Sequence, residues 1–262
     1  RLSLVGSEMC IRDRLKWNTI STYMRMLRSV YNQALERGVA TYVPRLFNKV
    51  HTGIDCPVKR AVSPEVICRL MTDRKPLPGK LAFSRDLFVL LFLLRGMPFV
   101  DLAFLRRCDL QGNVITYHRR KTSRKLTVVV GKEAMEIIQK YMYAIPDSPY
   151  LFPIIQNPGK DEYGQYARML RLQNYRLTQV ANILGIRDRL STYTARHTWA
   201  TTALRQNYNS SLICDAMGHS SVKVTETYFQ PYRDDEVNRM NSSLITYILS
   251  KKKRGTDKKI RS

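Results

Sequence analysis

The sequence predicts a mainly α-helical protein with one small antiparallel β-sheet, an α+β fold. Apolar residues recur at helical spacing over most of the chain, beginning with an amphipathic segment at residues 18–37. The run LFVLLFLL at 87–94 predicts a buried helix and is far too short to cross a bilayer. Only residues 112–130 show the alternating apolar pattern of two strands, joined by the basic turn RRKTSRK.

The first predicted helix begins at Asn18 or Thr19, either of which can serve as its N-cap, and ends at Gly38. Arg25 and Arg28 lie off its apolar face, and two interpretations of them stay open, namely solvated surface charge or contacts to phosphate groups. The apolar face is predicted to contain Ile20, Tyr23, Met24, Leu27, Val30, Tyr31 and Ala34.

A linker is predicted at residues 55–66, because proline and charged residues dominate the stretch DCPVKRAVSPEV. Ser63 and Pro64 are the residue types preferred at an N-cap and first helical position, so the domain boundary is placed here. A buried helix at about 81–95 comes before the strands. Further helices are predicted at about 132–143, 160–184, 194–206, 209–217, 221–229 and 236–249, followed by a basic tail.

The charge balance is strongly basic, with 44 Lys and Arg residues against 21 Asp and Glu residues in 262, a net charge of +23. A folded protein this basic is typically built to bind a polyanion, and nucleic acid is the expected partner. The alternative is a membrane-surface protein, which would need a basic amphipathic anchor or a lipidation motif. The sequence shows neither, so we expect no membrane partner and a cytoplasmic location.

The cysteines and histidines argue against a bound metal. The five cysteines are scattered, at positions 10, 56, 68, 108 and 214, and form no CxxC pair. The four histidines, at positions 51, 118, 197 and 219, form no HxxxH-type pair. We therefore predict a reducing compartment, no metal site and no cofactor.

The opening stretch RLSLVGSEMCIRDR shows no helical or strand periodicity and resembles translated sequencing-adapter read-through. We expect residues 1–14 to be a non-native or disordered leader, and the natural chain to extend further at its N-terminus.

Two separated stretches carry the chemistry, STYTARHTWATTAL at 191–204 and MGHSSVKVTETYFQ at 217–230. Their residues, in chain order, are Tyr193, Arg196, His197, His219 and Tyr228. The order and spacing resemble the tyrosine recombinase (phage integrase) family, in which an H/Y-x-x-R-H box precedes L-G-H-S and then the nucleophilic tyrosine. The sequences RGMPFVDLAFLRRCDL and YTARHTWAT most resemble integrases of Bacteroidetes mobile elements.

The resemblance implies a fold, an activity and partners. It implies the tyrosine recombinase catalytic fold over 63–232, preceded by part of a helical core-binding domain at 15–57 and followed by a C-terminal helix and basic tail at 233–262. The implied activity is site-specific DNA recombination through a 3′-phosphotyrosyl intermediate, without metal or ATP. The implied assembly is a homo-tetramer on two DNA sites in a bacterial cytoplasm, and the helix at 236–249 suits contact with a neighbouring subunit or packing within its own.

The resemblance assigns a role to each residue of the motif. Arg196 would bind the scissile phosphate, because its guanidinium is always charged and matches two phosphate oxygens. Tyr228 would attack phosphorus. His219 and Tyr193 would donate hydrogen bonds to the remaining oxygens or transfer protons. Lys121, in the basic turn, would protonate the departing 5′-oxygen.

Structural interpretations stand beside these roles. Tyr228 could be a core aromatic residue, Lys121 a solvated turn residue, and His197 is expected to be structural. Lys125 is a second candidate for the general acid. The residues expected to contact DNA are Arg25, Arg28, Arg119, Arg120, Arg124 and Lys125.

The chain departs from the family at a second arginine, in a motif of the form T-G-L-R-x-x-E-L. The matching stretch RGMPFVDL places Pro98 where the family has arginine, while Gly96 and Asp101 match. Arg95 is the predicted replacement; alternatively it complements a helix C-terminus. Asp101 is expected to pair with a basic group. Pro98 keeps a catalytically impaired DNA-binding module open as an alternative function, and a type IB topoisomerase is a further one.

Overall fold

The computed structural model describes residues 17–48, 50, 52, 60–73, 75–227, 234 and 238–246. The chain divides into two compact units, Arg1–Val58 and Lys59–Ser262. The predicted leader at 1–14, the basic tail and Tyr228 lie outside the described residues.

The first unit contains helix α1, Trp17–Glu36. The segment after the helix folds back along it, because the Tyr31 hydroxyl accepts a hydrogen bond from the Val43 backbone N–H at 2.7 Å and donates one to the Thr41 carbonyl at 3.2 Å. The predicted helix is therefore present, with a return segment that the tyrosine fixes.

The apolar face of α1 is more exposed than its amphipathic pattern suggests. Ile20 is buried, but Tyr23 is 53% exposed and Val30 is 62% exposed. The apolar spacing thus predicts the helix but not the burial of its face in the described structure.

The second unit is mainly helical. Its helices are α2 (Pro64–Thr72), α3 (Gly79–Leu93), α4 (Phe99–Ala103), α5 (Lys132–Tyr141), α6 (Glu162–Leu184), α7 (Thr192–Arg205), α8 (Ser210–Met217) and α9 (Val222–Glu226), with a 3₁₀ turn at Arg107–Asp109. Residues 238–246 are also helical.

Helix α3 lies at the centre of this unit and contacts α2, α5, α6 and α7. Its Leu87, Phe88, Leu90 and Leu91 are completely buried, as expected for a helix that is apolar on all sides.

A three-stranded antiparallel sheet in the order β1-β2-β3 lies between α4 and α5 in the sequence. Its strands are β1 (Leu110–Gln111), β2 (Val114–His118) and β3 (Lys125–Val129). Val114 pairs with Val129 and His118 with Lys125, so residues 119–124 form the connecting turn. The sequence predicts β2 and β3; β1 has only two residues, too few for an alternating pattern to show.

The observed architecture agrees with the predicted fold class, a mainly helical chain with one small antiparallel sheet. Among the described residues, none of the helices combines the length and apolar character that a membrane span requires.

Candidate active site

Arg196 is the centre of the site and lies near the N-terminus of α7, with only 2% of its surface exposed. Its Nη1 donates to the Gly96 carbonyl at 2.6 Å, and its Nη2 donates to the Met217 carbonyl at 2.9 Å. Nη2 also lies 2.6 Å from Nε2 of His219. One buried guanidinium therefore joins the end of α3, the end of α8 and the His219 ring.

Gly96 allows the close approach to Arg196. Its φ is +66°, a conformation that glycine adopts without steric cost. A Cβ atom at this position would lie 3.1 Å from Cα of Arg196 and 3.3 Å from its Cγ. A larger residue would therefore push α7 away from the turn whose carbonyl accepts from Arg196.

His219 follows α8 directly, after Gly218, which ends that helix with a φ of +65°. The His219 ring is 4% exposed, and its Nδ1 lies 2.7 Å from Oγ1 of Thr225 on α9. Arginine has only donors, so Nε2 must accept from Arg196 and the ring proton lies on Nδ1. The ring is thus neutral and donates to Thr225.

The surroundings of His219 favour this neutral form. Burial, followed by the positive charges of Arg196, Arg119 and Lys121, lowers the pKa of His219 from 6.5 to about 3. The Lys121 charge is therefore close enough to act on the ring. At neutral pH His219 contributes hydrogen bonds rather than charge to the site.

This shift predicts a pH-dependent stability. As the pH falls through about 6.5, the unfolded chain protonates His219 while the folded chain does not, so its contribution is complete above that value and is lost toward pH 3. Within this window the free energy of unfolding should fall by about 1.4 kcal/mol per pH unit because of His219. Denaturant titrations of wild type and His219→Gln between pH 4 and 7 measure it. Equal pH slopes for the two proteins would contradict the buried neutral ring.

Arg119 and Asp101 form a second buried pair beside Arg196. Nε of Arg119 lies 3.5 Å from the Asp101 carboxylate, which also accepts from the Arg120 backbone N–H at 3.0 Å. Asp101 therefore pairs with a basic group, as the sequence suggests. Its pKa is nevertheless raised, because the penalty of burying the charged carboxylate exceeds the effect of these contacts.

The Arg119 side chain differs from the expected exposed DNA contact. It is only 7% exposed, and its Nη1 donates to the carbonyls of Met217 at 3.1 Å and Gly218 at 2.8 Å. Its guanidinium therefore attaches the β2–β3 turn to the residues just before His219.

The opposite end of the same turn is attached through Arg124. This side chain donates to the His219 carbonyl at 3.1 Å and pairs with Asp215 on α8 at 2.9 Å. Between the two attachments, Lys121 is exposed. The turn thus holds the predicted general acid near the His219 ring.

Two other basic residues of this region also lie on the surface. Arg120 is exposed and stacks over the Phe104 ring at 3.8 Å. Lys125 is exposed at the start of β3. Both positions are compatible with the predicted contacts to a phosphate backbone.

Arg95 lies at the end of α3 with a φ of +59°, adjacent to Gly96. Its Nη1 donates to the Thr127 carbonyl of β3 at 3.2 Å. Pro98 is the N-cap of α4 with extended backbone angles. The structure therefore places Arg95 next to the Arg196 site, with its guanidinium on the β-sheet.

Tyr193 and His197 lie one turn apart on α7. Tyr193 is 46% exposed, whereas His197 is 6% exposed, and their rings meet edge to face with centroids 4.7 Å apart. The exposed Tyr193 phenol can reach a ligand at the surface. The burial of His197 is consistent with the structural role expected for it.

The remaining predicted residues lie elsewhere. Arg25 and Arg28 are exposed on α1 of the first unit, where Arg28 stacks over Phe47 at 5.1 Å. Tyr228 lies outside the described residues, two positions beyond the end of α9 at Glu226.

The sequence did not indicate two features of the site. These are the burial of the Arg119 guanidinium and the hydrogen bond from the His219 ring to the Thr225 hydroxyl. Arg119 belongs to a run of basic turn residues that look alike in sequence. Thr225 carries a usable signal, because it precedes Tyr228 by three residues in the sequence. Within the described part of the chain, no group of three His, Cys, Asp or Glu side chains could hold a metal ion.

The site lies in the part of the chain that resembles a known family. The sequence model of the phage integrase family matches residues 61–234. The tyrosine recombinase XerD of Oceanobacillus iheyensis is 23% identical over 240 residues, which cover 87% of this chain and 76% of that protein. The tyrosine recombinase XerC of Thermodesulfovibrio yellowstonii is 24% identical over 240 residues, covering 85% and 74%.

Solved structures share the fold. The Tn1549 transposon integrase in complex with a circular intermediate DNA superposes with a TM-score of 0.64 at 16% identity, covering 90% of this chain and 82% of that one. The XerH site-specific recombinase bound to difH superposes with a TM-score of 0.63 at 15% identity, covering 84% and 64%.

Proposed function

The chain belongs to the phage integrase family, and from this membership we propose that it is a site-specific DNA recombinase. It cleaves and rejoins DNA strands through a 3′-phosphotyrosyl intermediate, without metal or ATP. Its substrate is double-stranded DNA, and its working form is a homo-tetramer that holds two DNA sites in the bacterial cytoplasm. The residues of its motifs favour a mobile element of Bacteroidetes as its source.

The observation that carries this proposal is the buried contact between Arg196 and His219. A guanidinium is costly to bury unless polar groups replace its water, and here two carbonyls and a ring nitrogen contact it directly. These uncharged groups fix the guanidinium in one orientation. Such a preorganised charge is suited to a phosphate whose negative charge increases in the transition state.

The proposed reaction uses the side chains of the motif. The Tyr228 phenol releases its proton to water, and its oxygen forms a bond to phosphorus while the bond from phosphorus to the 5′-oxygen breaks. Lys121 gives its proton to the departing 5′-oxygen, and Lys125 is the second candidate for that proton. Arg196 and His219 bind the non-bridging oxygens, with Tyr193 as a further donor. Rejoining reverses these steps, because the phosphotyrosyl bond retains the energy of the broken one.

DNA is held by exposed basic residues that belong to both units. Arg120 and Lys125 lie on the β2–β3 turn and strand, and Arg25 and Arg28 lie on α1. Arg124 and Arg119 act on the turn itself, since their guanidinium groups contact the His219 carbonyl and the two preceding carbonyls. We assign residues 15–57 to a partial core-binding domain, 63–232 to the catalytic domain and 233–262 to the tail.

Two alternatives remain for experiment. A DNA-binding module without cleavage is favoured by Pro98, which supplies neither charge nor donor where the family has arginine. A type IB topoisomerase shares the phosphotyrosine chemistry but relaxes supercoiled DNA without a specific site.

A nicked suicide DNA substrate tests the proposal. Cleavage beside the nick releases a short strand, so the covalent protein–DNA adduct accumulates and survives SDS. We expect this adduct from wild type, with and without EDTA, and none from Tyr228→Phe. Absence of the adduct from wild type would favour the non-cleaving module, whereas site-independent relaxation of a plasmid would favour the topoisomerase.

A further inference from the structure

Thr225 makes an unusual hydrogen bond for a buried helical threonine. It lies on α9, is completely buried, and precedes Tyr228 by three residues. A threonine hydroxyl within a helix commonly bonds the carbonyl one turn earlier, as Thr198 does to Thr194 at 2.9 Å. Thr225 instead places its Oγ1 at 2.7 Å from Nδ1 of His219. The hydroxyl therefore serves the histidine ring.

The direction of this bond follows from the other side of the ring. Arg196 can only donate, so Nε2 of His219 accepts and Nδ1 carries the proton that Thr225 receives. A phosphate oxygen can only accept, so a phosphate bound to His219 requires the proton on Nε2. A hydroxyl can either accept or donate, so Thr225 can satisfy Nδ1 in both states.

We propose that Thr225 is a positioning residue for cleavage, whose hydroxyl holds His219 as the Nδ1–H tautomer against Arg196 and as the Nε2–H tautomer against the scissile phosphate. This inference rests on the proposed function. When the ring passes from the Nδ1–H to the Nε2–H tautomer, Nδ1 releases one proton to solvent and Nε2 takes one from solvent. The Thr225 hydroxyl then changes from hydrogen-bond acceptor to donor. The ring stays neutral throughout.

The same bond connects the histidine to the segment that leads to Tyr228. Thr225 is fixed to the ring, the ring is fixed to Arg196, and α9 ends one residue later at Glu226. An error in the placement of Thr225 would therefore reach both the phosphate-binding group and the start of the nucleophile's segment.

Three variants separate this role from a general packing role. Thr225→Val keeps the shape of the side chain and removes the hydroxyl, which leaves a buried ring nitrogen without its partner. We expect single-turnover cleavage to fall roughly 5- to 150-fold, the range for one unsatisfied buried polar group. Thr225→Ser should restore most of the rate. Thr198→Val, which removes a buried hydroxyl that accepts from the Val62 N–H at 3.1 Å, is the control for lost stability.

Nitrogen NMR of the full chain labelled with ¹⁵N-histidine reports the tautomer directly. We expect Nδ1–H for His219 in free wild type and in Thr198→Val, and Nε2–H in Tyr228→Phe bound to its DNA site. Thr225→Val should keep Nδ1–H in the free protein, because Arg196 still donates to Nε2, so the cleavage rate of this variant tests the hydroxyl and the wild-type spectra test the tautomers. If Thr225→Val does not fold, the wild-type spectra and Thr225→Ser still decide. An Nε2–H ring in the free protein, or cleavage by Thr225→Val at the wild-type rate, overturns the role of Thr225. Absence of any wild-type adduct overturns the proposed function itself.

Discussion

Replacing Arg196 with lysine is expected to slow DNA cleavage by about 10²–10³-fold, the usual cost of losing a charge-stabilising donor in the transition state. Lysine keeps the positive charge, but it cannot reach the Gly96 carbonyl, the Met217 carbonyl and the His219 ring at once. The rate of adduct formation on the suicide substrate at saturating enzyme measures the effect.

Two comparisons make the Arg196 result interpretable. A thermal melt identifies loss of folding, which is expected to be larger for Arg196→Ala because the Gly96 and Met217 carbonyls each lose the donor that Arg196 supplies. Arg107→Lys is a matched control, since that arginine also donates to backbone carbonyls, those of Pro146 and Ile145, but lies outside the site. Cleavage by Arg196→Lys at the wild-type rate would remove Arg196 from the chemistry.

Replacing Arg95 with alanine is expected to reduce the rate of DNA cleavage about 10²-fold, if Arg95 supplies the charge that Pro98 cannot. In the structure its guanidinium donates to the exposed Thr127 carbonyl, a contact that water can replace when the side chain turns toward DNA. Since Arg95 and Gly96 are adjacent, the backbone already places Arg95 beside the carbonyl that binds Arg196.

A second substitution distinguishes a missing charge from damage at the end of α3. Pro98→Arg restores the arginine of the family at the N-cap of α4, so the double variant Arg95→Ala, Pro98→Arg should recover much of the lost rate. Arg119→Gln is the competing variant, because its guanidinium is buried beside Asp101 and near His219. Wild-type cleavage by Arg95→Ala together with a large loss in Arg119→Gln would transfer the role from Arg95 to Arg119.

The sequence predicts the secondary structure well because its signals are local. The apolar run of α3, the Ser63–Pro64 pair before α2 and Gly38 after α1 each indicate an element without reference to distant contacts. The family resemblance also implies that Arg196 and His219 share one site, and in the structure Nη2 of Arg196 lies 2.6 Å from Nε2 of His219.

The sequence does not predict which arginines of the β2–β3 turn are buried. The same residue type occupies positions 119, 120 and 124 of this turn. Which of the three side chains is buried depends on which one contacts the backbone carbonyls around Gly218. A Cβ atom at Gly218 would lie 2.7 Å from Cδ of Arg119, so this contact requires glycine there. The exposure of the α1 face has the same cause, because an amphipathic pattern states which side is apolar and not what covers it.

Mass-spectrometric mapping of the covalent adduct tests the central claim most directly. After the suicide DNA is cleaved, the protein is digested and the peptide that retains a 3′-nucleotide is sequenced. We predict that the nucleotide is attached through the Tyr228 oxygen and that Arg196→Ala yields no such peptide. Attachment to any other residue, or DNA recovered without a covalent peptide from active wild type, would contradict a site in which Arg196 and His219 present a phosphate to Tyr228.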